Sequence, residues 1–133
     1  MKLTSRSEYA LLALLFLARH GPKGLVSVDT IAKAQCIPPK FLEQILLTLK
    51  RAGYLRSSKG HHGGYALAKL PEKISLAEVV RLLDGALAPT ESVSVHFFQH
   101  TPIEKEKNLI KVFREIRDYV SKRLENTMLR DLI

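Results

Sequence analysis

Three polar side chains in the middle of the chain have the types and spacing needed to read DNA bases. Lys40, Glu43 and Gln44 fall on one side of a segment whose apolar residues recur at helical spacing. Glutamine can pair with adenine through two hydrogen bonds, glutamate can accept one from the cytosine amino group, and lysine can reach guanine or phosphate. Arg51, at the end of the segment, is better placed for a phosphate. The pattern predicts a helix that enters a major groove.

A basic, glycine-rich loop follows this helix after a short extended stretch. Its glycines would let the backbone approach a phosphate closely, and its cationic side chains would be attracted to the negative potential of a minor groove. The DNA contacts predicted for this loop are Lys59, Gly60, His61 and His62. The two histidines could instead bind a metal, but no cysteine or carboxylate lies near them in the sequence.

Short elements must position this helix and loop. The apolar spacing predicts helices over residues 3–19, 28–35, 39–52 and 76–84, and strands over residues 54–58 and 65–68. Two short helices, a reading helix and a basic hairpin in this order are typical of a winged helix-turn-helix domain. We therefore predict a mainly α fold with a small β-hairpin wing.

The carboxyl-terminal half is predicted to contain a long helix after a linker. Residues 1–85 would form the DNA-binding domain, residues 86–100 the linker, and residues 101–133 a dimerisation helix with a closing segment. Thr101 and Glu104 form a capping box, which predicts that the long helix begins there and runs to about residue 124.

An apolar seam at coiled-coil spacing runs along the long helix. The residues of this seam, which we predict to mediate dimerisation, are Leu109, Phe113, Ile116, Val120 and Leu124. So narrow a seam is typical of a helix that pairs with the same helix of a second chain. Packing against the chain's own domain is the alternative.

The charge distribution favours an anionic partner. Residues 1–70 contain 11 Lys and Arg against 3 Asp and Glu, whereas residues 71–133 contain 10 of each, so the whole net charge of +8 lies in the first half. A basic excess confined to the suspected winged helix is typical of a nucleic-acid-binding module. Lys2 belongs to this half and is a further DNA-binding candidate. Charge that only maintains solubility is the alternative.

Composition and motifs exclude several other classes. The one cysteine, Cys36, rules out an intrachain disulfide and fits a reducing compartment. The longest apolar run, 10 residues from Tyr9 to Ala18, is too short to cross a bilayer, and no signal peptide precedes it. We therefore expect a cytoplasmic protein with no membrane partner. The chain has no G-x-S-x-G, P-loop or G-x-G-x-x-G motif, so we expect no enzymatic activity.

Three residues are weak candidates for a metal site. His96 and His100 are spaced i, i+4 in the predicted linker, and Cys36 lies in the turn between the second and third helices. Packing or solvent exposure is the favoured account of the two histidines. A cysteine in such a turn is most often a small buried hydrophobe, and we expect Cys36 to be buried.

Several stretches of the sequence resemble the Rrf2 family of bacterial transcription regulators. They include KLTSRSEYALLALLFLA, FLEQILLTLKRAGYLRSSKG, GGYALAK and ISLAEVVRLLDG, and the resemblance covers nearly the whole chain. It implies a winged-helix domain, a long dimerisation helix exchanged between subunits, and a homodimer on palindromic operators. It also implies base contacts by Lys40, Glu43 and Gln44, and a minor-groove contact by Lys59.

The chain departs from the iron–sulfur members of that family. Those members carry three cysteines between the fourth helix and the long helix, whereas this chain has no cysteine after Cys36. We therefore expect no iron–sulfur cluster and no other cofactor. The predicted function is a homodimeric DNA-binding repressor whose effector is unknown. The alternatives are a protein-interaction module that docks a metabolic enzyme, and a metal or cluster sensor built on His96, His100 and Cys36.

Overall fold

The computed structural model of the chain describes residues 1–21 and 23–133. Within this part the α-helices are α1 (Ser5–His20), α2 (Val28–Gln35), α3 (Pro39–Arg51), α4 (Leu76–Asp84) and α5 (Lys107–Glu125). The two strands of an antiparallel hairpin are β1 (Leu55–Ser58) and β2 (Gly64–Leu67). Short 3₁₀ turns lie at Pro71–Lys73, Glu91–Val93, Pro102–Lys105 and Leu129–Leu132.

The main apolar core holds α3 against α1, α2 and the hairpin. The buried residues of α3 are Leu42, Ile45, Leu46 and Leu49, which recur at the predicted spacing. Burying each of these side chains contributes about 2 kcal/mol to folding. Leu14 of α1 and Ile31 of α2 are completely buried in the same core. The orientation of α3 is therefore fixed by its apolar stripe.

A third extended segment supports the hairpin. Val26 donates a backbone hydrogen bond to the Tyr65 carbonyl at 2.8 Å and accepts one from the Tyr65 amide at 2.7 Å. Gly64 must approach this segment closely, because a Cβ at position 64 would lie 2.3 Å from the Val26 carbonyl oxygen. The hairpin is thus anchored near its turn by a contact that a larger residue at position 64 would prevent.

The amino terminus of α1 is joined to the end of α4 by a polar cluster. The helix begins at Ser5 because Thr4 is its N-cap, two residues later than predicted. Asp84 accepts hydrogen bonds from the Thr4 amide at 3.1 Å and from the buried Ser7 hydroxyl at 2.6 Å. Burial alone would raise the pKa of Asp84, but the hydrogen bonds from Ser7 and Thr4 outweigh it and lower the pKa below its ordinary value.

Tyr54 joins the base of the hairpin to α4. Its hydroxyl donates a hydrogen bond to Glu78 at 3.2 Å, and burial together with the Glu78 charge raises the pKa of Tyr54 to about 12. Glu78 also accepts from the Ser75 amide at 2.8 Å, which completes a capping box at the start of α4.

The predicted start of the long helix is wrong. The capping box of Thr101 and Glu104 closes only a 3₁₀ turn, because Glu106 has φ −97° and ψ 88° and interrupts the helix. Helix α5 begins at Lys107 and has 19 residues, which gives a length of about 28 Å.

The segment over residues 86–100 and the carboxyl-terminal segment both pack on the body of the protein. Val93 is buried, and its carbonyl accepts a hydrogen bond from Arg117 of α5 at 2.8 Å. Leu129 is buried in the main core, and its amide donates to the Ile74 carbonyl at 2.9 Å. The end of the chain therefore returns to the domain built by its beginning.

Replacing Asp84 by asparagine is expected to lower the free energy of unfolding by about 1 kcal/mol at pH 7, because hydrogen bonds to a charged group are lost at a partly exposed site. The folded-state pKa of Asp84 lies below the unfolded one, which is about 4. Its contribution is therefore complete above about pH 4 and disappears as the pH falls through the folded-state pKa.

Urea unfolding of the wild type and Asp84→Asn between pH 2 and pH 8 measures this dependence. The exposed Asp118→Asn on α5 is the matched control and should show a smaller difference. A stability gap between wild type and Asp84→Asn that is the same at pH 2 and pH 7 would contradict the assignment.

Candidate nucleic-acid interface

The outer face of α3 is polar and exposed. Burial of the apolar stripe leaves the opposite face in solvent, and the residues on that face are Lys40, Glu43, Gln44, Leu47 and Arg51. Leu47 is 38% exposed and was not predicted as a site residue. Its position outside the apolar stripe was the available signal. An apolar side chain on a groove-facing surface can contact the thymine methyl group.

The turn before α3 gives an unexpected position to Cys36. Cys36 adopts the left-handed conformation, with φ 56° and ψ 45°, and its side chain is exposed, so the prediction of a buried cysteine is wrong. The left-handed residue ends α2 and reverses the chain. Ile37 then takes the buried place, and its amide bonds to the Ala32 carbonyl at 2.9 Å.

The first turn of α3 has free backbone donors. Pro39 occupies the first helical position, as predicted, and no side chain within residues 1–21 and 23–133 caps this helix start. The free N–H groups of a helix start, together with its partial positive charge, favour a phosphate. The Lys40 side chain adds a full positive charge beside them.

The wing ends in a tight turn with exposed side chains. Gly60 has φ +100°, and its carbonyl accepts a hydrogen bond from the Gly63 amide at 3.0 Å. Lys59, His61 and His62 are all exposed on this turn. The backbone is therefore held by hydrogen bonding while the cationic and imidazole side chains are free to contact a partner.

The structure places Lys2 beside the long helix α5. Lys2 lines a groove beside α5 together with Tyr119 and Arg123. Its predicted contact with DNA stays a prediction, and its immediate surroundings are those of the long helix.

The three weak metal candidates do not form a donor group. Nδ1 of His100 lies 3.0 Å from a carboxylate oxygen of Glu104, and His96 is exposed. Among the residues that the structure describes, no group of three or more His, Cys, Asp or Glu could hold a metal ion.

The predicted seam of α5 is divided between two surfaces. Phe113 packs in part beside the buried Ile110, and Leu124 packs in part against the separate buried cluster of Ala77, Val80 and Leu87. The large apolar residues that remain exposed are Leu109, Val112, Ile116 and Tyr119. These four recur at spacings of 3, 4 and 3 residues, so the open stripe differs from the predicted seam at Val112 and Tyr119.

Comparison with known proteins decides the family. The sequence matches the Rrf2 family, described as iron-dependent transcriptional regulators, over residues 3–133. The chain belongs to the Rrf2 family. As in the solved structures of CymR and IscR described below, the fold is a mainly helical winged helix-turn-helix domain with a two-stranded hairpin.

Relatives within the Rrf2 family are similar over different lengths. The regulator CymR of Bacillus subtilis is 30% identical over 132 residues, 99% of this chain and 89% of CymR. The comparison of this chain with the solved structure of CymR gives a TM-score of 0.81 and covers 99% of this chain and 95% of that one. IscR of T. potens is 26% identical with a TM-score of 0.72, covering 99% of this chain and 85% of that one. Protein rrf2 of Nitratidesulfovibrio vulgaris is 45% identical over 91 residues, 68% of this chain but 61% of that protein.

These findings confirm three predictions. The chain is a DNA-binding transcriptional regulator, its fold is a winged helix, and its relatives are regulators and not enzymes. In the described part of the chain, none of the helices has the length and apolar character needed to span a membrane.

The residues of this chain do not fit an iron–sulfur cluster, although the family description names iron. Cysteine thiolates hold such clusters, and the one cysteine of the chain lies exposed in the turn between α2 and α3. The expectation that the protein uses no cofactor stays a prediction, which iron analysis of the purified protein tests.

Proposed function

We propose that this regulator binds a palindromic operator as a homodimer and represses transcription there. The observation that carries the proposal concerns α3. The apolar stripe of this helix is buried and its polar face is exposed, and the wing follows α3 directly in the sequence. Repression requires only that the bound protein exclude other proteins from a promoter, so it needs no further activity.

The side chains would divide the work of recognition by chemistry. Glu43 and Gln44 would read base edges in the major groove, and Leu47 would contact thymine methyl groups. Lys40 and Arg51 would hold phosphates at the two ends of α3, and Lys59 would enter the neighbouring minor groove. Base contacts set the sequence preference, whereas phosphate contacts supply affinity.

The open stripe of α5 supports the homodimer. Val112 is 49% exposed and Tyr119 72% exposed, which is unusual for large apolar side chains on one helix face. A groove of about 380 Å³ runs beside this stripe and is lined by Met1, Leu3, Ile116 and Tyr119 among others. The coiled-coil spacing of the stripe favours a second copy of the same helix as the partner.

A second candidate function, a protein-interaction module, is favoured by one surface feature. Val95, Phe97 and Phe98 are exposed together in the segment before α5. Such a patch on a regulator is typical of a protein contact. Retention of one protein partner in place of DNA, at physiological salt, would favour this alternative.

Selection from randomised duplexes tests sequence-specific binding. We expect one palindromic sequence to be enriched, with an affinity that falls steeply as salt rises. Gln44→Ala should relax the preference at one position by about 1–3 kcal/mol, because a bidentate base contact is lost.

Lys59→Ala should instead weaken binding to every sequence and reduce the salt slope by about 1. Arg114→Ala, on the exposed surface of α5, is the matched control and should change neither property. Equal retention of all sequences by the wild type would refute the proposed readout.

Sedimentation of an α5 variant tests the homodimer. Ile116→Asp should convert a dimer into a monomer at micromolar concentration, because a charge would be buried without a partner between the two helices. Arg114→Asp places the same side chain on an exposed position away from the stripe and should leave the dimer intact. A wild-type chain that sediments as a monomer, or an Ile116→Asp variant that remains dimeric, would contradict the proposed pairing.

A further inference from the structure

A second cleft, separate from both the α3 face and the α5 stripe, lies at the base of the wing. It has a volume of about 780 Å³ and is bounded by the end of α1, the hairpin and the carboxyl-terminal segment. Its apolar lining includes Leu17, Ala18, Ala66, Leu67, Leu70 and Pro71. The volume falls within the range of about 300–1,000 Å³ that is typical of small-molecule sites.

Every charged side chain that lines this cleft is basic. The four cationic residues come from four different parts of the chain and are Arg19, Arg56, Lys69 and Arg130. A convergence of positive charges over an apolar floor is costly without an anion nearby, because like charges repel. The cleft therefore has the polarity of a site for an anion.

These charges are only partly neutralised by the protein. Arg130 pairs with Glu72 at 3.3 Å, and Lys69 lies 4.6 Å from the centre of the Tyr54 ring. Arg19 donates a long hydrogen bond, 3.4 Å, to the backbone carbonyl of Leu132. The guanidinium group of Arg56 has no hydrogen bond or ion pair with any residue in the described part of the chain. At least one complete guanidinium group is thus available to a ligand.

The strand register explains why Arg56 belongs to the cleft. Leu55 pairs with Leu67, and Leu55 is buried in the main core. Side chains alternate along a strand, so Arg56 and its partner Ala66 lie on the other face of the hairpin. Both residues line the cleft.

We propose that this cleft binds a small organic carboxylate with an apolar body. A guanidinium group matches a carboxylate with two parallel hydrogen bonds, and Arg56 is the residue best placed to make them. The apolar body of the ligand would lie on Leu70 and Pro71. Inorganic phosphate would leave the apolar floor unused, and a neutral apolar molecule would leave the positive charges unpaired.

Binding in this cleft would act on the wing. Arg56 belongs to the hairpin and Lys69 follows its second strand by two residues, whereas Arg19 belongs to α1 and Arg130 to the carboxyl-terminal segment. A carboxylate between the two pairs would fix the hairpin relative to α1 and change the affinity for DNA. This regulatory effect rests on the proposed function, whereas ligand binding itself does not.

An NMR titration of the full chain without DNA tests the site. Hexanoate, hexanol and inorganic phosphate are the three probes, and amide shifts are followed at residues 66–70 and along α5. We expect saturable shifts at residues 66–70 with hexanoate, and binding at least tenfold weaker with either of the other probes. Absence of saturable shifts at residues 66–70, or equal binding of hexanol, would overturn the proposal.

Two substitutions at Arg56 separate recognition from folding. Arg56→Gln should weaken hexanoate binding about tenfold, because one charge-assisted interaction is lost, while Arg56→Lys should retain most of the affinity. Arg114→Gln removes the same charge from α5 and should change nothing. Unchanged hexanoate affinity in Arg56→Gln would refute the site.

A DNA titration of the same variants completes the test. If Arg56→Gln weakens DNA binding and leaves hexanoate binding unchanged, the cleft is a phosphate contact, and the proposal is overturned. If hexanoate binds as expected and yet no DNA sequence is preferred, the ligand site stands and the proposed function fails.

Discussion

Burial of one face of α3 is the constraint on which the rest of the structure depends. Leu42, Ile45, Leu46 and Leu49 must all leave water, and only one rotation of the helix allows this. That rotation determines which side chains remain for a partner, including Gln44. The same core fixes the turn before α3 and the hairpin after it, so the orientation of the reading surface follows from packing and not from polar contacts.

Much of this arrangement could be predicted because it depends on local spacing. The stripe of α3, the capping box at Ser75 and Glu78, and the glycine-rich turn of the wing follow from residue types at fixed intervals. The exposure of Glu43 and Gln44, which we propose to read bases, was predictable for the same reason, since a residue that lies off a buried stripe is exposed.

Other features depend on contacts between distant segments, which residue spacing does not reveal. The break at Glu106 leaves Thr101 at the start of a 3₁₀ turn, although its capping box is the same in either case. Phe113 packs on its own domain because the segment around Val93 lies against α5. The cleft beneath Arg56 exists only because the end of the chain returns to α1, so no local pattern could have indicated it.

Hydroxyl-radical footprinting of the selected duplex tests most directly the claim that two copies of this reading surface act together. The account predicts two protected patches of equal strength, related by a two-fold axis and separated by about one helical turn, or about 10 base pairs. Protection by the wings should appear in the minor groove beside each patch. A single asymmetric patch on the specific sequence would contradict the account.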